Sequence, residues 1–220
     1  MFSKIKQSFN DHTQVWLVSI LGFMLLFATA VYWLGFELIL KLTPAFFALI
    51  FSAIFIFWDE TLRKKFMIFS TIFVLGYLIE LIGIKTGLVF GHYSYGSVLG
   101  FKIFSVPLSI GLVWFVTTFS AWNIVLFAGK IKLWQQIGLG ILLIVMFDLL
   151  LEQFATTYGF WSWRNGTVPI NNYISWVVVS TLFFIAYSIF AKKTTPNIFT
   201  ASVLPLLSIW LWVMLLVNIF

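Results

Sequence analysis

The sequence predicts an all-α polytopic membrane bundle of about seven transmembrane helices, forming one integral membrane domain over residues 1–220. Three observations predict it. Of 220 residues, 62% are hydrophobic and only 9% charged, where a soluble domain carries roughly 25% charged residues, and mean hydropathy is +1.06. The apolar residues gather into seven runs, each long enough or nearly so to cross a hydrocarbon core of about 30 Å, which takes roughly 20 helical residues. The 13 lysines and arginines fall between these runs in ones, twos and threes. That is the pattern of topology signals rather than of a basic groove, so membrane lipid is an expected partner and nucleic acid is not.

The first run, near residues 15–35, follows Lys4 and Lys6 and contains Ala28-Thr29-Ala30, which looks like a signal-peptidase site. It continues through Val31, Tyr32, Trp33 and Phe36 without a polar region, so an uncleaved first helix is expected. The second, 42–58, is short and opens at Pro44, a residue that suits a first helical turn. The remaining runs lie near 66–84, 103–128, 134–157, 173–191 and 198–219. Assigned to alternate sides, the basic residues divide into nine (Lys4, Lys6, Arg63, Lys64, Lys65, Lys130, Lys132, Lys192, Lys193) and four (Lys41, Lys85, Lys102, Arg164). The positive-inside rule then places the N-terminus in the cytoplasm, as for a bacterial inner-membrane protein. With no cysteine there is no disulfide framework, thiolate nucleophile or cysteine metal site.

Acidic residues inside membrane helices are costly and mark function. Asp11, Glu37, Asp59 and Glu60 lie at helix ends or in loops, as solvated charges do. Glu80, Asp148 and Glu152 do not. Glu80 and Asp148 each lie roughly 21 Å from the cytoplasmic start of their runs, at 1.5 Å per residue. Glu152 is one turn further out on the face of Asp148. Gly76, Glu80, Gly83 and Gly87 form one stripe and Gly138, Val145, Asp148, Glu152 and Ala155 another, so small residues are expected to let helices approach around the acids. The plainer reading is that each acid bonds a neighbouring Tyr, Trp or Asn and only holds the bundle together.

After each acidic helix comes a similar stretch. Tyr93-Ser94-Tyr95 leads to Val106-Pro107-Leu108 and Trp114; Trp161-Ser162-Trp163 leads to Val168-Pro169-Ile170 and Trp176. Helices 3–4 and 5–6 therefore read as diverged duplicates related by an axis along the membrane normal, with a binding site at their interface. Chance similarity between apolar segments rich in interfacial Trp and Tyr is the other reading.

The combined pattern resembles the carotenoid biosynthesis membrane proteins that include the carotenoid 1,2-hydratases. It comprises Glu80, Gly83, Gly87, Gly91, Tyr93, Tyr95, Pro107, Trp114, Asp148, Glu152, Trp161, Trp163, Pro169, Asn172 and Trp176, spread over roughly residues 70–180. Gln153 stands where that pattern has Pro, and Val113 where some relatives carry Asn. The resemblance implies a carotenoid substrate with an acyclic end group, such as lycopene-like or bisanhydrobacterioruberin-like ends. It also implies catalytic roles for Glu80, Asp148 and Glu152, and substrate contacts from Tyr93, Tyr95, Trp114, Trp161, Trp163, Asn172 and Trp176.

Hydration of a terminal trisubstituted alkene needs a proton on the less substituted carbon and then water on the tertiary cation. No metal, nucleotide or redox cofactor is required. One carboxylic acid can give the proton and a second group can deprotonate the water, while aromatic faces stabilise the cation. The outer segment "GLVFGHYSYG", residues 87–96, is expected to cap the pocket, its glycines permitting turns. Its His92 is a candidate proton relay, although a lone loop histidine is commonly a bystander. A C40 polyene spanning the membrane would bring one end to the acids in the outer half. Two other classes stay open: a non-catalytic carotenoid or isoprenoid carrier, and a lycopene-cyclase-like enzyme, although no Pro-x-Glu motif of the kind expected there is present. A retinal protein is disfavoured because the last helix has no lysine for a Schiff base.

Overall fold

The computed structural model describes residues 2–129, 131–190 and 195–218, with side chains from His12 onward. The charges used above at Lys130, Lys192 and Lys193 lie outside the described residues, as do the side chains of Lys4, Lys6 and Asp11. Helix α1 (Phe2–Trp33) is followed by a 3-10 turn (Glu37–Leu42), α2 (Thr43–Phe57), α3 (Leu62–Thr86), and three short strands, β1 (Tyr93–Tyr95), β2 (Lys102–Ile103) and β3 (Val106–Pro107). Then come α4 (Ile110–Phe127), α5 (Leu133–Thr157), β4 (Trp161–Trp163), α6 (Ile170–Phe190) and α7 (Ile198–Val217). Among the described residues, seven helical segments are long and apolar enough to cross a membrane, the 3-10 turn and α2 together forming the second. Successive crossings place the α1–α2, α3–α4 and α5–α6 connections at one end of the bundle.

Helix α4 is the hub. It is the most buried of the membrane-crossing helices, and α1 the least, and it packs on α3, α5 and α7. Its sequence demands that place, because Thr118, Ser120 and Asn123 bond across to other elements and would lose those bonds facing lipid. Thr118 meets the Tyr187 hydroxyl at 3.1 Å, and Asn123 Oδ1 accepts from the Asn197 amide at 3.1 Å. Ser120 reaches into α7, donating to the Thr200 carbonyl at 2.7 Å and accepting from the Leu204 amide at 2.9 Å. This is the turn beside Pro205, where the proline ring has no N–H and crowds the carbonyl four residues back.

The run expected as helix from 103 becomes helical only at Ile110. The residues before it form a β2–β3 hairpin, turned by Phe104 and Ser105 at φ 49° and 71°; a left-handed pair supplies the twist of a tight hairpin, and Pro107 has no amide for a helix interior. The glycine stripe of α3 also works differently from expectation. A Cβ at Gly76 would lie 2.8 Å from Trp114 Cβ, and one at Gly83 2.7 Å from the Phe90 ring. These glycines admit aromatic side chains rather than a neighbouring helix backbone. In α5, Gly138 is exposed with open space around it, and Gly140 is the glycine packed on a neighbour, Phe184.

Candidate active site

The two aromatic-Ser-aromatic segments pair with each other. Strands β1 and β4 run antiparallel with Tyr93 opposite Trp163, Ser94 opposite Ser162 and Tyr95 opposite Trp161. The register is flanked by the Arg164 amide on the His92 carbonyl at 2.9 Å and the Gly96 amide on the Phe160 carbonyl at 2.8 Å. Gly96 sits so close to the Gly159 carbonyl that no Cβ fits. Alternation along a strand turns Tyr93, Tyr95, Trp161 and Trp163 to one side, toward the helix ends. Ser94 and Ser162 face out, their hydroxyls 3.2 Å apart.

Beneath this seam each glutamate is held by three donors. Glu80 Oε2 accepts from the Tyr93 and Tyr95 hydroxyls, the latter at 2.7 Å, and Oε1 accepts from Trp114 Nε1 at 3.0 Å. Glu152 Oε2 accepts from Trp161 Nε1 at 3.0 Å and Trp163 Nε1 at 2.8 Å, and Oε1 from Asn172 Nδ2 at 3.1 Å. Each cage takes two donors from its own aromatic-Ser-aromatic strand and one from the helix that follows. The Trp114 and Trp176 rings, one from each of those helices, stack at 4.1 Å. This arrangement is a local two-fold and makes Glu152 the counterpart of Glu80, where equal depth alone pointed to Asp148.

Asp148 lies deeper. Its Oδ2 accepts from Asn172 Nδ2 at 3.1 Å, so one amide bridges both acids of α5. Its Oδ1 is buried with no hydrogen-bond partner among the described residues. A cleft of about 20 Å³ separates the two cages, lined by Glu80, Glu152, Tyr93, Trp163, Val113 and Leu151 among others. That is room for about one water. Burial, and then the adjacent Glu80, hold the Tyr93 and Tyr95 phenols above their usual range, so both remain donors at physiological pH.

Of the ten acids and contact residues singled out in the sequence, all but Asp148 line the cleft. Asp148 joins it through Asn172. His92 is set apart: its ring is exposed and rests on Gly87, away from the donors to the acids. Phe90, Ile110, Val113 and Leu151 complete the lining; apart from Val113, noted above as a departure from the family pattern, they went unrecognised, since apolar residues in an apolar chain carry no contrast. The one available signal was adjacency, Leu151 to Glu152 and Phe90 to Gly91.

The model of a family described as carotenoid biosynthesis protein matches residues 14–220. The chain belongs to the carotenoid biosynthesis protein family. The match spans α1 from Gln14 onward and all of α2 to α7, including all three acidic positions and both strands of the seam. No curated protein and no solved structure matches the chain. A role in carotenoid biosynthesis follows for this family member, and its apolar surface suits a polyene substrate and a lipid environment.

Proposed function

We propose that this family member is a cofactor-independent carotenoid 1,2-hydratase, adding water to the terminal C1=C2 double bond of an acyclic end group. The observation that carries the reading is a pair of caged carboxyl groups, Glu80 and Glu152, on opposite sides of one aromatic cleft with room for about a single water. An acid gives a proton to C2, the alkene pair forms the new C–H bond, and a tertiary cation is left at C1. Water adds at C1 and loses a proton to the second carboxyl group, giving the tertiary alcohol. The base gains the proton that the donor lost, so one transfer across the cleft resets the pair.

The faces of Trp114, Trp176, Tyr93 and Trp163 surround the place where the cation forms, attracting positive charge without bonding to it. Asp148, with one donor and one bare oxygen, has a position for a carboxylic proton that displaces no hydrogen bond, and Asn172 ties it to Glu152. We assign it as the third acid of the site. With the N-terminus in the cytoplasm, as the lysine and arginine distribution indicates, the seam and both cages lie on the outer side, where water arrives without crossing the bilayer.

The test is expression in a host that accumulates an acyclic carotenoid, with pigments analysed by mass. A gain of one or two waters is expected, lost in Glu80→Gln, Glu152→Gln and Asp148→Asn proteins that still insert. Unchanged pigments with the wild-type chain would favour a carrier.

A further inference from the structure

A second, larger cavity of about 320 Å³ lies between α1, the 3-10 turn, α2, α5 and α7. Its lining is apolar apart from Thr43, whose hydroxyl is turned onto the Leu40 carbonyl at 2.6 Å. Trp210 also lines it, and its indole N–H donates to the Thr29 hydroxyl at 3.1 Å. Nothing in the lining therefore asks a ligand for a hydrogen bond. On the rim, Phe23 and Phe27 of α1 and Leu42 and Leu49 at α2 are exposed. Helix α1 packs on α7 and α2 on α4, and both meet the 3-10 turn, so the mouth between them opens sideways, onto lipid.

Leu151 belongs to both spaces: it lines this cavity and the cleft between the acids, one residue before Glu152. The acid cleft, at about 20 Å³, is far too small for an isoprenoid end unless Leu151 turns aside. The neighbouring cavity falls at the low end of the roughly 300–1,000 Å³ of small-molecule sites, enough for the end portion of a long apolar chain.

We infer that the carotenoid reaches the acids laterally from the bilayer, through the mouth between α1 and α2. Its terminal portion is seated in the apolar cavity, and Leu151 is the gate to the Glu80/Glu152 cleft. The remainder of the polyene stays in lipid beside α1 and α2. The gating of chemistry rests on the hydratase reading; the seating of the polyene does not.

The experiment has two readouts on protein purified from a host making an acyclic C40 carotenoid: pigment retained per protein after detergent washing, and hydrated product. The wild-type chain is expected to retain pigment. Ala28→Trp fills the mouth from the half-buried face of α1 and should reduce both readouts about tenfold or more. Its helical content and thermal unfolding should match those of the wild type, so that the loss is one of access and not of fold. Should Ala28→Trp unfold at lower temperature, Ala45→Phe closes the mouth from the opposite, exposed side of α2. Leu151→Trp should retain pigment and lose product.

Pigment kept by the wild type and lost in Ala28→Trp, with no product from any chain, would overturn the hydratase reading and leave the cavity assignment standing. Wild-type pigment and product in both mouth variants would overturn the cavity assignment. So would a wild-type chain that retains phospholipid but no pigment.

Discussion

Replacing Asn172 with leucine tests whether the two acids of α5 are held as one unit. Asn172 is 2% exposed, and its amide gives one bond to Asp148 Oδ2 and one to Glu152 Oε1, both 3.1 Å long. Leucine is close in volume, so the cavity contribution is small and the loss is that of the bonds. Interhelical hydrogen bonds in membrane proteins average about 0.6 kcal/mol. Bonds to ionised groups are worth about 1.5–3 kcal/mol, and a buried acceptor left bare costs about 1–3 kcal/mol. Glu152 keeps its two indole donors, whereas Asp148, already bare at Oδ1, loses its only donor among the described residues. The Asp148 bond should therefore dominate, and Asn172→Leu should destabilise the bundle by about 2–4 kcal/mol. Asp148→Leu in the same chain removes the stranded acceptor, so the double variant should be less destabilised than the sum of the singles by about 1–3 kcal/mol. Unfolding free energies of the four chains in bicelles give the cycle. A coupling of about 0.6 kcal/mol or less would make the bridge an ordinary interhelical contact and refute its assignment as the tie between the acids.

Gly76→Ala puts a methyl group 2.8 Å from Trp114 Cβ; it should cost about 1–3 kcal/mol of stability and, by shifting the indole that bonds Glu80, lower product yield at unchanged expression. The buried phenols of Tyr93 and Tyr95 have folded pKa values raised above the ordinary 10.0. The folded state thus holds their protons longer than the unfolded chain does: their contribution is whole below about pH 10 and is lost as pH rises beyond it. Thermal denaturation against pH should show that decline, flattened in Tyr93→Phe and Tyr95→Phe; a decline just as steep in both variants would assign it to other groups. In this cysteine-free chain, single cysteines at the exposed positions Ser97 and Thr167 should react with an impermeant thiol reagent outside intact cells. One at exposed Thr61, on the other end of the bundle, should react only after lysis. The reverse pattern would place the seam on the cytoplasmic side.

The bundle was legible because the membrane forces a coarse code: about 20 apolar residues per crossing and charges between. The acids and their donors were legible for the same reason, since Glu80, Asn172 or Tyr93 in such a chain is a contrast. Pairing was harder to read. Depth along a helix places Glu80 with Asp148, while the cages place it with Glu152, and what decides is the register of two three-residue strands 68 positions apart at Ser94 and Ser162. Similarity between those segments was visible; their bonding to each other was not. Helix α4 was placed too early because Ile103, Phe104 and Val106 are apolar in any conformation, and only the left-handed turn at Phe104 and Ser105 removes them from the helix. The apolar cavity left no trace, being lined by residues that look the same whether they face lipid, a neighbour or a ligand.

The serine inserted beside Pro205 bears on the order in which the chain assembles. A helix that crosses a bilayer alone must satisfy its own backbone, and α7 cannot do so at this turn, because Pro205 offers no amide to Ala201. Ser120 meets this turn from outside, its hydroxyl bonded to the Thr200 carbonyl and the Leu204 amide that flank the gap. That hydroxyl is carried by a helix synthesised 80 residues earlier, so α4 is already in the membrane when α7 emerges. Docking of the last helix and the capture of this weakened turn are then one event, and an α7 that fails to find α4 leaves the turn exposed to hydrocarbon, the kind of defect by which an unfinished membrane protein is told from a finished one.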